Sequence, residues 1–299
     1  MKRIGLTLLY LAAIGCAGAQ EEAPDDTVFK DERANPYKFN LSVAYSLLDS
    51  QQPQEAGKIA RRLMDMDPDA AEPYYVLARA QLDMRQLDAA EKMLRETLRR
   101  DPKFAKAQSL YGTLLDVRGD AGAAARHRRA IALEPKNANF RNNLGFSLYL
   151  RRDYRAAIKA FEAALERDGS LRRVHNNLGF AYGRLGEMDK AAAEFAQAGP
   201  PAQVSNNLGV LQEERGDREG AYSYFLNAAQ IDPLLVPARA NLERVCAQLG
   251  RGMPELPDPK SMPARDHVEP VDAVYIEAER AGAPATAAAS NTVAEEGKP

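Results

Sequence analysis

One short phrase recurs in the second half of the chain, and it constrains the fold more than any other feature. The phrase reads Asn-Asn-Leu-Gly followed by an apolar residue, and it begins at Asn142, Asn176 and Asn206. The starts lie 34 and 30 residues apart, a period typical of repeated helix pairs. After each phrase comes a set of alanine, phenylalanine and alanine at offsets of four and three, which places the set on one helix face. These sets are Ala157, Phe161, Ala164; Ala191, Phe195, Ala198; and Ala221, Phe225, Ala228.

Extending the period in both directions divides residues 37–250 into six units and a closing helix. A small residue recurs in the first helix of each unit and an alanine recurs early in the second, because closely packed helices leave no room for bulk there. The predicted units are 37–70, 71–104, 105–137, 138–171, 172–201 and 202–235, with a capping helix at 236–250. Unit five is the shortest and ends in Gly199-Pro200-Pro201, so we predict a truncated second helix in that unit.

This pattern resembles the tetratricopeptide repeat (TPR). The resemblance covers about 200 of the 299 residues and is most specific in the last three units. It implies an all-α, right-handed superhelical solenoid in which the first helix of each unit lines a concave groove. The early units depart from the pattern, since Ala60 and His127 stand where a large apolar residue is usual. We expect His127 to fill a position between helices.

The chain begins with features of an export signal. Lys2 and Arg3 precede an apolar run at residues 4–14, which is too short to span a bilayer as a helix. The run ends in Ala13-Ile14-Gly15-Cys16, which resembles the lipobox of bacterial lipoproteins. We therefore predict a signal peptide at residues 1–15 and a lipid anchor on Cys16. A second site remains open, because Ala17-Gly18-Ala19 matches the pattern of an ordinary signal peptidase and would release a soluble exported protein.

Two segments have the composition of disordered polypeptide. Residues 16–36 predict a flexible tether, and residues 251–299 predict a tail rich in proline and alanine. Within that tail, residues 271–276 read Val-Asp-Ala-Val-Tyr-Ile and are much more apolar than their surroundings. This island is interpreted either as a docking segment, for the solenoid or for a partner, or as transient structure in a disordered tail.

The repeated asparagines define the candidate binding surface. An amide both donates and accepts hydrogen bonds, so a row of amides at repeat spacing suits the backbone of an extended peptide. Nearby aromatic, apolar and arginine side chains would add contacts. The candidate groove residues are Asn142, Asn143, Phe146, Tyr149, Arg173, Asn176, Asn177, Phe180, Arg184, Asn206, Asn207, Val210 and Asn241. The alternative is structural, because asparagine at the inner of the two positions also helps neighbouring TPR units to register.

Several function classes find no support in the sequence. A net charge of −2 argues against a nucleic-acid partner. His127, His175 and His267 lie far apart and none belongs to a metal-ligand spacing, so no metal or other cofactor is expected. No Ser-His-Asp arrangement, phosphate-binding loop or carboxylate pair predicts catalysis, and no small-molecule substrate is expected. The basic residues with which chaperone-binding TPR domains clamp a terminal carboxylate are absent at matching positions.

The signal, Cys16 and the repeats together resemble the Tad/Flp pilus assembly TPR lipoproteins and, more distantly, the pilotins of secretins. This resemblance implies a non-enzymatic scaffold tethered to the outer membrane, facing the periplasm and binding a peptide of a pilus or secretin assembly. Ala17 after Cys16 agrees with outer-membrane sorting by the rule of enteric bacteria. The alternative function is a soluble periplasmic adaptor in cell-wall synthesis or protein quality control.

Overall fold

The computed structural model describes residues 35–258, and these residues form thirteen α-helices and no strand. The predicted signal peptide, Cys16 and segment 271–276 lie outside the described residues. Between residues 35 and 258, no helix has both the length and the apolar character needed to cross a bilayer. The helices are α1 (Pro36–Asp49), α2 (Pro53–Met66), α3 (Ala71–Asp83), α4 (Leu87–Arg100), α5 (Ala105–Val117), α6 (Ala123–Leu133), α7 (Ala138–Leu150), α8 (Tyr154–Leu165), α9 (Arg172–Arg184), α10 (Met188–Ala198), α11 (Pro201–Glu214), α12 (Arg218–Ile231) and α13 (Val236–Leu249).

The helices pack as a row of hairpins. Odd-numbered helices α1 to α11 each pack against the next helix, and each second helix also contacts the first helix of the following unit. The first helices of successive units touch one another directly, from α1 through to α13. The predicted all-α solenoid is therefore confirmed, with one hairpin in each predicted unit and α13 as the closing helix.

Glycine in the first helix allows the two helices of a unit to approach closely. A Cβ atom added at Gly145, Gly179 or Gly209 would lie 2.6 Å from a phenylalanine ring of the second helix. Those rings belong to Phe161, Phe195 and Phe225, which are all buried. The small residue in one helix and the large residue in the other are thus two halves of one contact.

Unit five contains a short second helix, as predicted. Helix α10 ends at Ala198, and only Gly199 and Pro200 separate it from α11, which begins at Pro201. Proline at the first position of a helix loses no hydrogen bond, so α11 starts as soon as the chain has turned. The truncation is not unique to this unit, because α6 also has 11 residues.

The apolar core consists of two large clusters separated by a small one. The first contains buried residues between Ala44 and Leu114, and the second contains buried residues between Tyr149 and Cys246. The small cluster, formed by Ala105, Ala130 and Phe140, belongs to units three and four. The core is therefore interrupted at the junction of units three and four.

The chain remains in contact with the solenoid after α13. Both terminal nitrogens of Arg251 donate to the Glu219 carboxylate, at 2.8 and 2.9 Å, and the guanidinium lies 5.2 Å from the Tyr222 ring centre. Leu256 then packs against the second large cluster. Residues 251–258 were expected to begin a disordered tail, but they contact the solenoid because Arg251 and Leu256 find partners there.

Candidate functional site

The predicted groove residues lie on four neighbouring helices, α7, α9, α11 and α13. These are first helices, or the closing helix, and each touches the next along the solenoid. The structure thus brings the predicted residues onto adjacent elements, as the repeat period requires. What those side chains contact decides which of them remain available to a partner.

The asparagines form a hydrogen-bonded ladder that runs from one unit to the next. In each rung, the Nδ2 atom of one asparagine donates to the Oδ1 atom of an asparagine in the preceding unit. The rungs are Asn177 to Asn142 at 2.9 Å, Asn207 to Asn176 at 2.8 Å, and Asn241 to Asn206 at 2.9 Å. Asn143 extends the ladder into unit three by donating to Ser109 Oγ at 3.0 Å.

Most of the ladder is buried, which changes the interpretation of the asparagine row. Five of the seven asparagines are buried, and the other two, Asn143 and Asn207, are half-buried. The five buried members are Asn142, Asn176, Asn177, Asn206 and Asn241. Their amides face one another and fix the register of adjacent units. The geometry favours the structural alternative for them.

Arginine side chains connect three successive units along the same helices. Arg184 Nε donates to the Tyr149 hydroxyl at 2.7 Å, and its Nη2 donates to Glu214 Oε1 at 2.8 Å. Arg244 pairs with Glu213. Exposed ion pairs contribute little stability, but these arginines span from one unit to the next and so add to the register set by the amides.

Arg173 differs from the other predicted groove arginine. Its side chain is exposed, and its Nη2 donates to the neutral Oδ1 of Asn139 at 2.9 Å. The guanidinium therefore lies at the surface with a neutral acceptor beside it. Such a charge is able to bind a carboxylate of a partner without first breaking an ion pair.

The predicted apolar groove residues divide into buried and half-buried members. Tyr149, Phe180 and Val210 are buried, and the Phe180 ring meets that of Phe195 edge to face with 5.0 Å between centres. Phe146, at the equivalent position of unit four, is half-buried. Phe180 and Val210 thus belong to the core as much as to the concave face, whereas Phe146 retains accessible surface.

A second row of aromatic side chains lies in the first two units and was not predicted from the sequence. The Tyr45 and Tyr75 ring centres are 6.3 Å apart, and those of Tyr75 and Phe104 are 5.2 Å apart. Lys106 Nζ lies 5.7 Å from the Tyr45 ring centre, so unit three reaches unit one across this row. Burial raises the pKa of the Tyr45 and Tyr75 phenols. One signal was present in the sequence, because Tyr45 has the ninth position in its unit, as Phe146 and Phe180 have in theirs.

A buried polar network occupies the interruption in the core. His127 stands where later units have phenylalanine, opposite Gly112, and its ring lies 2.6 Å from where a Cβ of that glycine would be. His127 Nε2 is 3.0 Å from Asp116 Oδ2, and Ser147 Oγ donates to Asp116 Oδ1 at 2.7 Å. His127 Nδ1 is 3.3 Å from Ser109 Oγ. The expectation that His127 fills a position between helices is confirmed.

Contrary to the expectation from the sequence, the protein contains a Ser-His-Asp arrangement. Ser109, His127 and Asp116 form a hydrogen-bonded chain whose members come from α5 and α6. All three are buried, with the histidine fully so, and Ser109 Oγ also accepts a hydrogen bond from Asn143. A substrate has no access to this serine, so the network satisfies buried polar groups.

His175 also has a local structural role. Its Nδ1 lies 2.7 Å from Glu194 Oε2 and its Nε2 lies 3.3 Å from the Gly169 carbonyl oxygen. These contacts join α9 to α10 and to the turn before α9. Among residues 35–258, no group of three or more metal-ligating side chains converges.

Comparison with known proteins gives matches of two kinds. Residues 47–114 and 147–202 each match a family model described as tetratricopeptide repeat. A curated protein of Haemophilus influenzae, "Lipoprotein NlpI homolog", is 36% identical over 87 residues. That match covers 29% of this chain and only 28% of the relative's own length.

Solved structures of two other proteins superpose over most of the chain. PilF of Pseudomonas aeruginosa is 21% identical with a TM-score of 0.55, covering 68% of this chain and 95% of that one. PilW, described as a widely conserved type IV pilus biogenesis factor, is 17% identical with a TM-score of 0.59, covering 70% of this chain and 99% of that one. At these identities the likeness establishes the fold. The family matches, the hairpins and the glycine–phenylalanine contacts together show that residues 47–114 and 147–202 contain tetratricopeptide repeats.

Proposed function

We propose that the chain is a non-enzymatic scaffold whose concave face binds an extended segment of an envelope assembly, in pilus (Tad/Flp) or secretin biogenesis. TPR solenoids present their first helices as an interaction surface for proteins. The observation that carries the proposal is a row of first helices held in register by internal hydrogen bonds, with aromatic and cationic side chains at its surface. The fold shared with PilF and PilW supports the pilus assignment.

The structure alters which side chains we assign to partner contact. Phe146 and Arg173 retain accessible surface in units four and five, and they keep their predicted role. To these we add Tyr45 from the aromatic row and Lys106, whose Nζ lies 5.7 Å from the Tyr45 ring centre. Hydrogen bonds between the ladder asparagines hold the first helices in register, so this surface is preorganised for an extended chain.

A charge reversal in the groove tests the binding surface. Arg173→Glu would remove an exposed cation from the concave face, and Arg167→Glu is the matched control, because Arg167 is also exposed but lies in the turn after α8. We expect co-purification of envelope proteins from crosslinked cells to fall several-fold with the first variant and to persist with the second. Equal recovery with both variants would exclude the concave face as the binding surface.

The proposed scaffold is tethered by a lipid on Cys16 to the outer membrane and faces the periplasm. The lipobox-like sequence and the match to a lipoprotein support the tether. Acyl chains contribute about 0.8 kcal/mol per buried methylene, so that two or more anchor a protein stably. Labelled palmitate should enter the wild type and not Cys16→Ser, and the variant should shift from the membrane fraction to the soluble one.

A soluble periplasmic adaptor in cell-wall synthesis or quality control is the second candidate. The sequence Ala17-Gly18-Ala19 favours it, because cleavage after Ala19 would remove Cys16 with the signal. The amino terminus of the mature protein, read by mass spectrometry, separates the two candidates. An acylated Cys16 supports the tether, and an unmodified Gln20 supports the soluble adaptor.

A further inference from the structure

We propose that the chain's own segment 271–276 docks on the concave face of units four to six and competes there with a partner. This inference rests on the proposed function, since it assigns an internal competitor to the same groove. The segment has the sequence Val-Asp-Ala-Val-Tyr-Ile and lies in the part of the chain beyond the described residues. Three features of the described solenoid point to it as the occupant.

The first feature is the surface itself. Phe146, Phe180 and Val210 have the same position in three successive units, on α7, α9 and α11. Phe146 is half-buried and supplies the accessible part of this apolar row, whereas Phe180 and Val210 are buried. On the same helices Asn177 pairs with Asn142, and Arg184 pairs with Tyr149. An extended segment with closely spaced apolar side chains can place one of them against the accessible surface of Phe146.

The second feature is the direction in which the described chain ends. Arg251 is fixed to Glu219, and Leu256 packs against the cluster that contains Phe180 and Val210. The chain therefore stays against the C-terminal units as far as Leu256, two residues before the last described residue, Asp258. Thirteen residue steps from there to residue 271 reach about 45 Å when extended. Neighbouring helices lie about 10 Å apart, so α7, three first helices before α13, is within that reach.

The third feature is charge. Segment 271–276 contains Asp272 and is flanked by Glu269, Glu277 and Glu279. On the groove side, exposed Arg173 has a neutral hydrogen-bond partner and is available for a carboxylate. A charge-assisted bond there would favour an acidic segment over a neutral one. Tyr275 and Ile276 would supply the apolar contacts at the same place.

Site-specific photocrosslinking in the full chain tests this docking directly. A benzophenone amino acid in place of Tyr275 keeps an aromatic ring at that position, and the same probe in place of Ala287 is the matched control in the alanine-rich tail. We expect the probe at 275 to crosslink to tryptic peptides 142–151 and 174–184, which carry Phe146 and Phe180, with at least tenfold the yield of the control. The yield should not change on tenfold dilution, because the contact is within one chain. Equal yields from both probes, or yields that fall on dilution, would overturn the proposal.

A second variant links the docking to partner binding. Replacing Tyr275 and Ile276 with serine in the full chain should raise recovery of crosslinked envelope proteins several-fold, because the competitor is weakened. Unchanged recovery would contradict competition. The two proposals fail separately, because intramolecular crosslinks without any recovered partner would remove the proposed function and leave the docking intact. A recovered partner without those crosslinks would contradict the docking and leave the proposed function intact.

Discussion

The side-chain amide of Asn177 donates a hydrogen bond to Asn142 Oδ1 at 2.9 Å, and this bond joins one repeat to the preceding one. The same contact recurs between Asn207 and Asn176. A repeat solenoid is stabilised by contacts between adjacent units, and a polar contact with fixed geometry adds register to the non-directional apolar packing. The asparagine pair is therefore part of the architecture that supports the groove.

Removing one rung of the ladder should destabilise the fold. Asn176→Ala would leave the Asn207 amide without its acceptor, and we expect a loss of about 1–3 kcal/mol in the free energy of unfolding, measured by urea denaturation. Asn139→Ala is the control, because Asn139 is exposed on the equivalent helix of the preceding unit and should change stability by about 0.5 kcal/mol or less. If both variants had the same stability as the wild type, the ladder would have no role in stability.

The buried network around His127 should respond to a change that restores the usual repeat residue. His127→Phe places the ring type of later units opposite Gly112, but it leaves the Asp116 carboxylate buried with Ser147 as its remaining side-chain partner. We expect this variant to be less stable by about 2 kcal/mol or more, because a buried carboxylate has lost a partner. The midpoint of thermal unfolding measures the effect.

The double variant with Asp116→Leu distinguishes this explanation from a poor fit of the ring. It removes the isolated carboxylate, so part of the lost stability should return. A double variant that is less stable than His127→Phe alone would show that ring packing, and not the carboxylate, is responsible.

The glycine–phenylalanine contact predicts intolerance of even a methyl group. Gly179→Ala would place a Cβ 2.6 Å from the Phe195 ring, and overpacking of this kind costs about 1–3 kcal/mol. That cost would exceed the helix-propensity gain of about 1 kcal/mol from replacing glycine with alanine. Gly169→Ala is the control, because the nearest atom to its Cβ would be the Leu165 carbonyl oxygen at 3.7 Å. Urea denaturation should separate the two variants, and equal stability would contradict the contact.

Glu91 predicts a dependence of stability on pH. Hydrogen bonds from Tyr111 first, and then from Arg118 and Arg95, hold the pKa of its carboxyl below the usual value. Its contribution to stability is therefore present above the pKa of the unfolded chain and is lost as the pH falls through the lower pKa of the folded state.

The variant Glu91→Gln tests this dependence. It should be less stable than the wild type at about pH 7, and the difference should shrink as the pH is lowered to about pH 3, because the wild-type carboxyl takes up a proton as the pH falls through its lowered pKa. Urea denaturation at both pH values measures the difference in unfolding free energy. A difference of the same size at both values would show that the carboxylate charge is not responsible.

The repeat period made the architecture predictable. The local spacing of alanine, glycine and phenylalanine predicts a helix hairpin. The two prolines that come soon after the start of α10 predict that this helix is short. These features depend on contacts within one unit, which the sequence shows directly.

Contacts between units were harder to predict. Repetition of asparagine fits equally well with a peptide surface and with a ladder, and only the distance from Asn177 to Asn142 separates the two. The network around His127 joins Ser109 and Asp116 from α5 to Ser147 from α7, so no local motif in the sequence predicts it. The aromatic row was missed because Tyr45 and Tyr75 do not share a sequence phrase with the later units.

The polar junction between the two apolar clusters affects how the protein would unfold. In a linear array, cooperativity passes only from neighbour to neighbour, so the boundary with the least apolar contact limits how far it extends. Amide hydrogen exchange would then divide the solenoid near His127 into two blocks with separate protection. A scaffold divided in this way can distort or unfold one half of the solenoid while the other half stays folded and keeps its bound partner.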